Sequence, residues 1–253
     1  MTLAEKRRAI RPLLHEHDPV DAISAYYAYY HDDNKTNLAL FPAEARPAKG
    51  YLCFSRTGID LFRPLVTMRL PSNLAEAADL FYSVMPPGTD VFISAPSSYL
   101  PILGAFFEIQ KEEHLMVYKL NSSQFEPVIN VLVSREDAQD GRVGFVIRES
   151  SQNLPRSESQ VIASAWLNWQ SPRFAEISVR TQSGYRRRGL GRSVVAAAAQ
   201  YILETGRTPL YIVSEQNEAS IQLAESLGFA NTGAKEVILE ARLRPRPHPP
   251  SPA

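Results

Sequence analysis

One cysteine, Cys53, stands in a chain of 253 residues. A lone thiol makes no internal disulfide and no thiolate metal cluster. Its setting, Tyr51-Leu52-Cys53-Phe54, marks it as a small apolar residue of a buried strand. Charge of one sign is lacking too, since 27 basic and 27 acidic residues give a formal net charge of +0. No global field therefore draws the chain to nucleic acid or to an anionic membrane. No apolar run approaches the roughly 20 residues of a membrane-spanning helix. The first eighteen residues carry charges without an apolar core and do not read as a secretory signal. The expected compartment is the cytoplasm. The serine-hydrolase elbow Gly-x-Ser-x-Gly is missing. So is a helical His-x-x-x-His pair, and His15-Glu16-His17-Asp18 and His31-Asp32-Asp33 read as solvated helix ends or turns. No metal is expected.

What is present describes an ordinary globular chain, 44% hydrophobic and 21% charged. It is long enough for one large or two modest domains. Apolar spacing predicts helices over Leu3–Leu14 and Pro19–Tyr30, then strands over Tyr51–Phe54 and Asp60–Met68. A helix over Asn73–Met85, a strand over Asp90–Ser94, a short helix over Ser97–Leu103 and a strand over Phe106–Leu120 complete a first half. The second half reads as strands over Val128–Val133, Val143–Ile147, Gln160–Leu167 and Phe174–Thr181, then a helix over Gly189–Glu204. A strand over Pro209–Ser214, a helix over Asn217–Leu227 and a strand over Glu236–Leu243 follow. Strands alternating with helices imply mixed α/β architecture with some parallel pairing. The halves share an order, and Leu103-Gly104-Ala105-Phe106 echoes Leu227-Gly228-Phe229, as in a degenerate internal duplication. The expected domains are 1–125, 126–243 and a Pro-rich, disordered tail over 244–253.

Chemistry concentrates in one stretch, Ile177 to Ser193. It runs from a strand through Arg186-Arg187-Arg188-Gly189-Leu190-Gly191-Arg192 into an alanine-rich helix. Amides at a helix start have no internal partners, and with the helix dipole they form an anion site. Gly189 and Gly191 let a phosphate approach the backbone. The lysine of a P-loop is absent, and the position of the third glycine of a dinucleotide fingerprint is Val194.

The pattern R-x-x-G-x-G over Arg186–Gly191 resembles the pyrophosphate loop of the GNAT superfamily of N-acetyltransferases. Val179-Arg-Thr-Gln-Ser-Gly-Tyr-Arg-Arg-Arg-Gly-Leu-Gly is most similar to the glycine acyltransferase-like branch. Asn217-Glu-Ala-Ser220 and Leu223-Ala224-Glu-Ser-Leu-Gly228-Phe229 resemble the family's second signature. The resemblance spans roughly Val128 to Leu243. It implies a GNAT-type central mixed sheet flanked by helices in two tandem halves, the N-terminal one degenerate. It implies a transferase, an acetyltransferase or broader acyltransferase, using acetyl-CoA or another acyl-CoA to acylate the amine of a small molecule.

Residue by residue, the resemblance implies that the main chain of Val179, Arg180 and Thr181 pairs with the pantetheine arm. It gives the pyrophosphate to the amides of Arg187, Arg188, Gly189, Leu190, Gly191, Arg192 and Ser193, with charge from Arg186. Asn217 and Ser220 would lie along the cofactor arm, although both also fit helix capping. Glu176 is the candidate general base, sharing a face with Ser178 and Arg180. Its competing reading is an exposed strand glutamate paired with Arg180. Where many relatives carry a tyrosine acid, this chain has Ala224, leaving Tyr185 or Tyr211 as substitutes. Trp166 and Trp169 read either as core or as acceptor-pocket lining. A protein amine as acceptor, a non-catalytic acyl-CoA sensor and a purely structural protein are the alternatives. The acceptor and the oligomeric state are not legible.

Overall fold

The structure is a computed structural model and describes residues 1–149 and 159–246. Packing divides it into two compact units, residues 1–115 with 235–253, and residues 116–234. The sequence boundary at 125/126 differs from this division, because the strand that completes the first unit comes from the end of the chain.

In the first unit, Thr2 opens α1 (Leu3–Ala9) with a reciprocal capping box to Glu5. The helix stops well before Leu14, because Pro12 allows only a single tight turn at Arg11–Leu13. Pro19–Tyr30 is helical throughout, as a tight turn, α2 (Ala22–Ala25) and a wider π-turn. The sequence reading passes over β1 (Thr36–Phe41), although Leu38 and Leu40 alternate inward along it. β2 (Gly50–Ser55) follows, then β3 (Leu65–Arg69), which starts late because Asp60 accepts from the amides of Phe62 and Arg63 in a turn. After α3 (Leu74–Val84) come β4 (Asp90–Pro96), α4 (Leu100–Phe106) and β5 (Phe107–Leu120). Strands β1, β2 and β3 pair antiparallel, and β4 lies parallel to β3. One face of this sheet buries Leu52, Met68 and Ile93 against α3 and α4, and the other buries Tyr51 and Cys53 against α1 and α2.

The chain enters the second unit within β5. Val128–Val133 is not a strand. Val128, Ile129, Val131 and Leu132 stand exposed, Val131 at 93%, and only Val133 packs on the core. The Asn130 side chain accepts from the Leu132 amide in a turn. The strands are β6 (Ser134–Asp137), β7 (Val143–Arg148), β8 (Val161–Gln170) and β9 (Phe174–Thr181), paired antiparallel in sequence order. Then come α5 (Leu190–Glu204), β10 (Thr208–Ser214), α6 (Glu218–Ser226) and β11 (Phe229–Leu243). Alanines 196 to 199 of α5 are buried, and with no bulk beyond Cβ they let the helix lie close on β8 and β9. β11 begins seven residues earlier than expected and ends in the first unit, antiparallel to β4.

The first unit runs three antiparallel strands and the second four, and each then continues with a helix, a parallel strand, a helix and a strand. In both, the parallel pair lasts only three residues, Leu65–Thr67 with Phe92–Ser94 and Phe174–Glu176 with Thr208–Leu210. The duplication faintly echoed in the sequence is a repeat of topology. Of the expected tail, 244–246 follow β11 and 247–253 lie outside the described residues. Among the described residues no helix is long and apolar enough to cross a membrane, and no group of acidic, His or Cys side chains could hold a metal.

Candidate functional site

Beyond Glu176 and Leu210 the strands β9 and β10 no longer pair, so Ile177 to Thr181 are laddered to β8 on one side only. Unpaired strand backbone is a row of strong donors and acceptors awaiting a partner. Val179, Arg180 and Thr181 occupy this open stretch. Val179 is partly buried against the core under α5, while Arg180 is exposed on the opposite face.

The chain leaves β9 through Gln182, whose side chain donates to the Val161 carbonyl at 2.5 Å, and turns at Ser183–Tyr185. Arg187 and Gly189 hold positive φ of 61° and 74°, which swing the backbone into the start of α5. No side chain caps that start. The amides of Leu190, Gly191 and Arg192 lie in the first turn and so lack intrahelical acceptors. The Ser193 amide does not join them, because it bonds the Gly189 carbonyl at 3.0 Å. The Ser193 hydroxyl is engaged as well, accepting from the Asn130 amide at 3.1 Å and donating to the Val128 carbonyl at 3.4 Å. Gly191 serves packing: a Cβ there would sit 2.9 Å from Thr181 Oγ1 and 3.2 Å from Leu223 Cδ1.

Arginines surround this helix end. Arg186 Nε donates to the Thr181 carbonyl at 3.3 Å, Arg188 lies over the Tyr185 ring, and Arg192 donates to the Ser226 carbonyl. The Nε of Arg192 is buried without a partner. Among the described residues, no carboxylate pairs with Arg186, Arg187, Arg188 or Arg192. Four arginines thus flank a helix start whose first amides are free, an arrangement that favours an anion.

Glu176 sits on the other face of β9. A β-bulge in β8 leaves Asn168 as the extra residue and turns Trp169 onto the Glu176 face. Asn168 Nδ2 donates to Glu176 Oε1 at 3.1 Å. The residue is half-buried, and burial of the carboxyl raises its pKa to about 7, against hydrogen bonds from Asn168 and Trp169 that hold it lower. Arg180 makes no ion pair with it, so the expectation of such a pair is not met.

Asn217 and Ser220 both serve α6. Asn217 Oδ1 accepts from the Ser220 amide at 3.2 Å, as an N-cap residue does. Ser220 Oγ lies 2.7 Å from the Tyr211 hydroxyl. Sequence reasoning named Tyr211 without its partner. Burial raises the Tyr211 pKa, while the Ser220 bond holds it lower. Ala224 is fully buried in the core. Tyr185 packs under Arg188 and its hydroxyl donates to Glu149.

The matching place in the first unit is closed. Its loop is Leu70-Pro71-Ser72-Asn73, and Asn73 Oδ1 caps α3 by accepting from the Ala75 amide at 2.8 Å. The Tyr99 hydroxyl accepts from the Leu70 amide at 3.4 Å, and Arg69 is held by Asp21. Thr67 occupies the register position that Glu176 holds in the second unit. A separate cleft of about 640 Å³ opens in the first unit beside Lys35, Arg56 and Phe62, and none of Leu70, Pro71, Ser72 and Asn73 lines it.

Residues 156–238 match a family model described as FR47-like protein. No curated protein matches the chain in sequence. Among solved structures, a Drosophila protein aligns at 13% identity and a TM-score of 0.65, over 94% of this chain and 95% of that one. A GCN5-related N-acetyltransferase from Kribbella flavida aligns at 14% identity and 0.58, over 87% and 94%. A tandem GNAT protein from the clavulanic acid biosynthesis pathway aligns at 12% identity and 0.57, over 96% and 95%. At these identities the likeness is one of fold, and the fold is the mixed α/β architecture of GNAT acetyltransferases, shared over nearly the whole chain with a tandem example.

Proposed function

We propose that the second unit binds acetyl-CoA or another acyl-CoA and transfers the acyl group to the amine of a small molecule. The observation that carries this reading is the continuity of an open strand edge at Ile177–Thr181 with an uncapped, arginine-ringed helix start. An extended amide-bearing arm fits the first and a pyrophosphate fits the second. We assign the pyrophosphate to the amides of Gly189 to Arg192 and to Arg186, Arg187 and Arg188. Ser193 supports the loop from beneath, and Asn217 fixes α6. The string from Val179 to Gly191 supports a place closest to the glycine acyltransferase-like branch.

Acetyl-CoA, when bound, supplies an activated thioester. Glu176 accepts the proton that an alkylammonium, with a pKa of about 10.4, must lose before attack. A carboxyl poised near 7 suits that task better than an ordinary one, which is too weak a base. The backbone amide near Val179 is placed to hold negative charge developing on the carbonyl oxygen. Ala224 offers no acid to the departing thiolate, and the Tyr211 hydroxyl, next to Ser220, is the donor we assign instead. The buried Ala224 also favours a second reading, an acyl-CoA sensor without turnover.

The test is acetyl-CoA binding by calorimetry, followed by thiol release with a panel of amines. Binding with amine-dependent thiol release supports the enzyme, binding without it supports the sensor, and absence of binding by folded protein overturns both.

A further inference from the structure

The Glu176 face of the second unit carries a feature that acyl-CoA binding does not use. Trp166 lies in a cross-strand row with Gly144 on β7 and Ser178 on β9. Its six-membered ring rests directly on Gly144: a Cβ there would stand within 2.6 Å of Cε3, Cζ3 and Cδ2. The backbone thus seals one face of the indole. Several other aromatics of the unit have ring or cation partners, Phe145 on Tyr201, Tyr201 on Arg135 and Tyr211 on Phe229. Among the described residues, no ring or cation stacks on Trp166, and the side chain is half-exposed. Trp169 differs. It is 5% exposed and its indole holds Glu176, so it is support.

We propose that Trp166 is the platform for the acceptor, and that the acceptor is an amine carried by a planar aromatic group. This inference rests on the acyl-transfer reading for the reaction it serves. Trp166 pairs with Ser178, which makes Glu176 its diagonal neighbour. Diagonal neighbours across an antiparallel pair stand roughly 7 Å apart. An amine two carbons from its ring is shorter than this spacing, so the ring can rest on the indole while the nitrogen reaches toward the carboxylate. Ser178 leaves the space between them clear, since its hydroxyl is folded down onto the Trp166 carbonyl at 3.3 Å. Arg180, the cation on this face of β9, lies four residues from Glu176, about 13 Å along the strand. The amine end of the site therefore stays acidic. Stacking on an aromatic ring adds attraction beyond buried area, worth up to about tenfold in affinity. That is enough to separate aryl from alkyl amines of equal charge.

The chain has two tryptophans, so Trp169→Phe leaves Trp166 as the sole indole reporter. Titrating that protein with 2-phenylethylamine, without CoA, should give a saturable change in emission at a Kd about tenfold below that of ethylamine. Calorimetry of the unaltered chain against Trp166→Ala covers the case in which Trp169→Phe fails to fold. In acetyl transfer, Trp166→Ala should raise KM for 2-phenylethylamine about tenfold, leave kcat within twofold, and leave acetyl-CoA affinity unchanged. Gly144→Val, which displaces the indole, should behave the same way. Equal affinity for the aryl and alkyl amines, or a Trp166→Ala variant equal to wild type, overturns the proposal. Aryl-amine binding at Trp166 without thiol release keeps it and sinks acyl transfer. Transfer to both amines that ignores Trp166 does the reverse.

Discussion

Two glutamates show how the same side chain is put to different ends by its surroundings. Glu176, raised to about 7 by burial, is the base we propose, and only its ionised form can take a proton. The kcat/KM for acetyl transfer should therefore rise with pH through about 7 and level off above it. Glu176→Gln should lower kcat by ~10²–10⁴-fold and remove that limb of the profile. Glu236, on β11 in the first unit, is 2% exposed and has one oxygen without a partner. Burial raises it to about 8, Arg69 pulling the other way. The fold favours its neutral form, so its contribution to stability is present below the unfolded value, ~4.3, and is lost as pH climbs to about 8. Urea denaturation at pH 5.5 and 8.5 should show a smaller loss of stability for Glu236→Gln than for the wild type; equal losses would remove Glu236 as the cause. At Gly191 the steric account applies. Gly191→Val should cost ~1–3 kcal/mol by wedging α5 off Thr181 and Leu223.

Elements were legible where periodicity and punctuation agree. The reach of β9, the start of α5 after Gly189 and the span of α6 between Asn217 and Leu227 all stand where spacing and caps put them. Val128–Val133 misled because a run of β-branched residues satisfies strand propensity whether or not a neighbour exists to pair with it. The bulge at Asn168 was not legible at all. One inserted residue swaps faces for everything beyond it, and only the register reveals that Trp169 and Glu176 meet. The proposed anion seat was read from composition, and one of its expected donors fails, since Gly189 takes the Ser193 amide back into the helix. What remains of that seat is exposed, so screening weakens each arginine. Arg186→Ala with Arg188→Ala should raise the acetyl-CoA Kd about tenfold and flatten its dependence on salt, read by calorimetry at two ionic strengths.

At the scale of the molecule, the second unit is a continuous stretch and the first is not. Val237, Leu239, Ala241 and Leu243 are buried in the cluster beneath α3 and α4, and all come from the last strand. Fully burying a valine or leucine contributes ~1.5–3 kcal/mol. Losing these side chains therefore forfeits much of a domain's stability of ~5–15 kcal/mol. A fragment of residues 1–125 should show no cooperative thermal transition, and a peptide of residues 229–246 supplied in trans should restore one. A fragment that melts cooperatively alone would contradict this.

The return of β11 to β4 also sets a timetable. A chain is made from its N-terminus at ~5–20 residues per second. β4 is finished early, yet its partner Glu236–Arg242 is translated only after the whole second unit. For on the order of ten seconds the nascent first unit offers a bare strand edge and an apolar floor while its closing strand is still unmade. A premature stop codon anywhere in the second unit would strand it there for good.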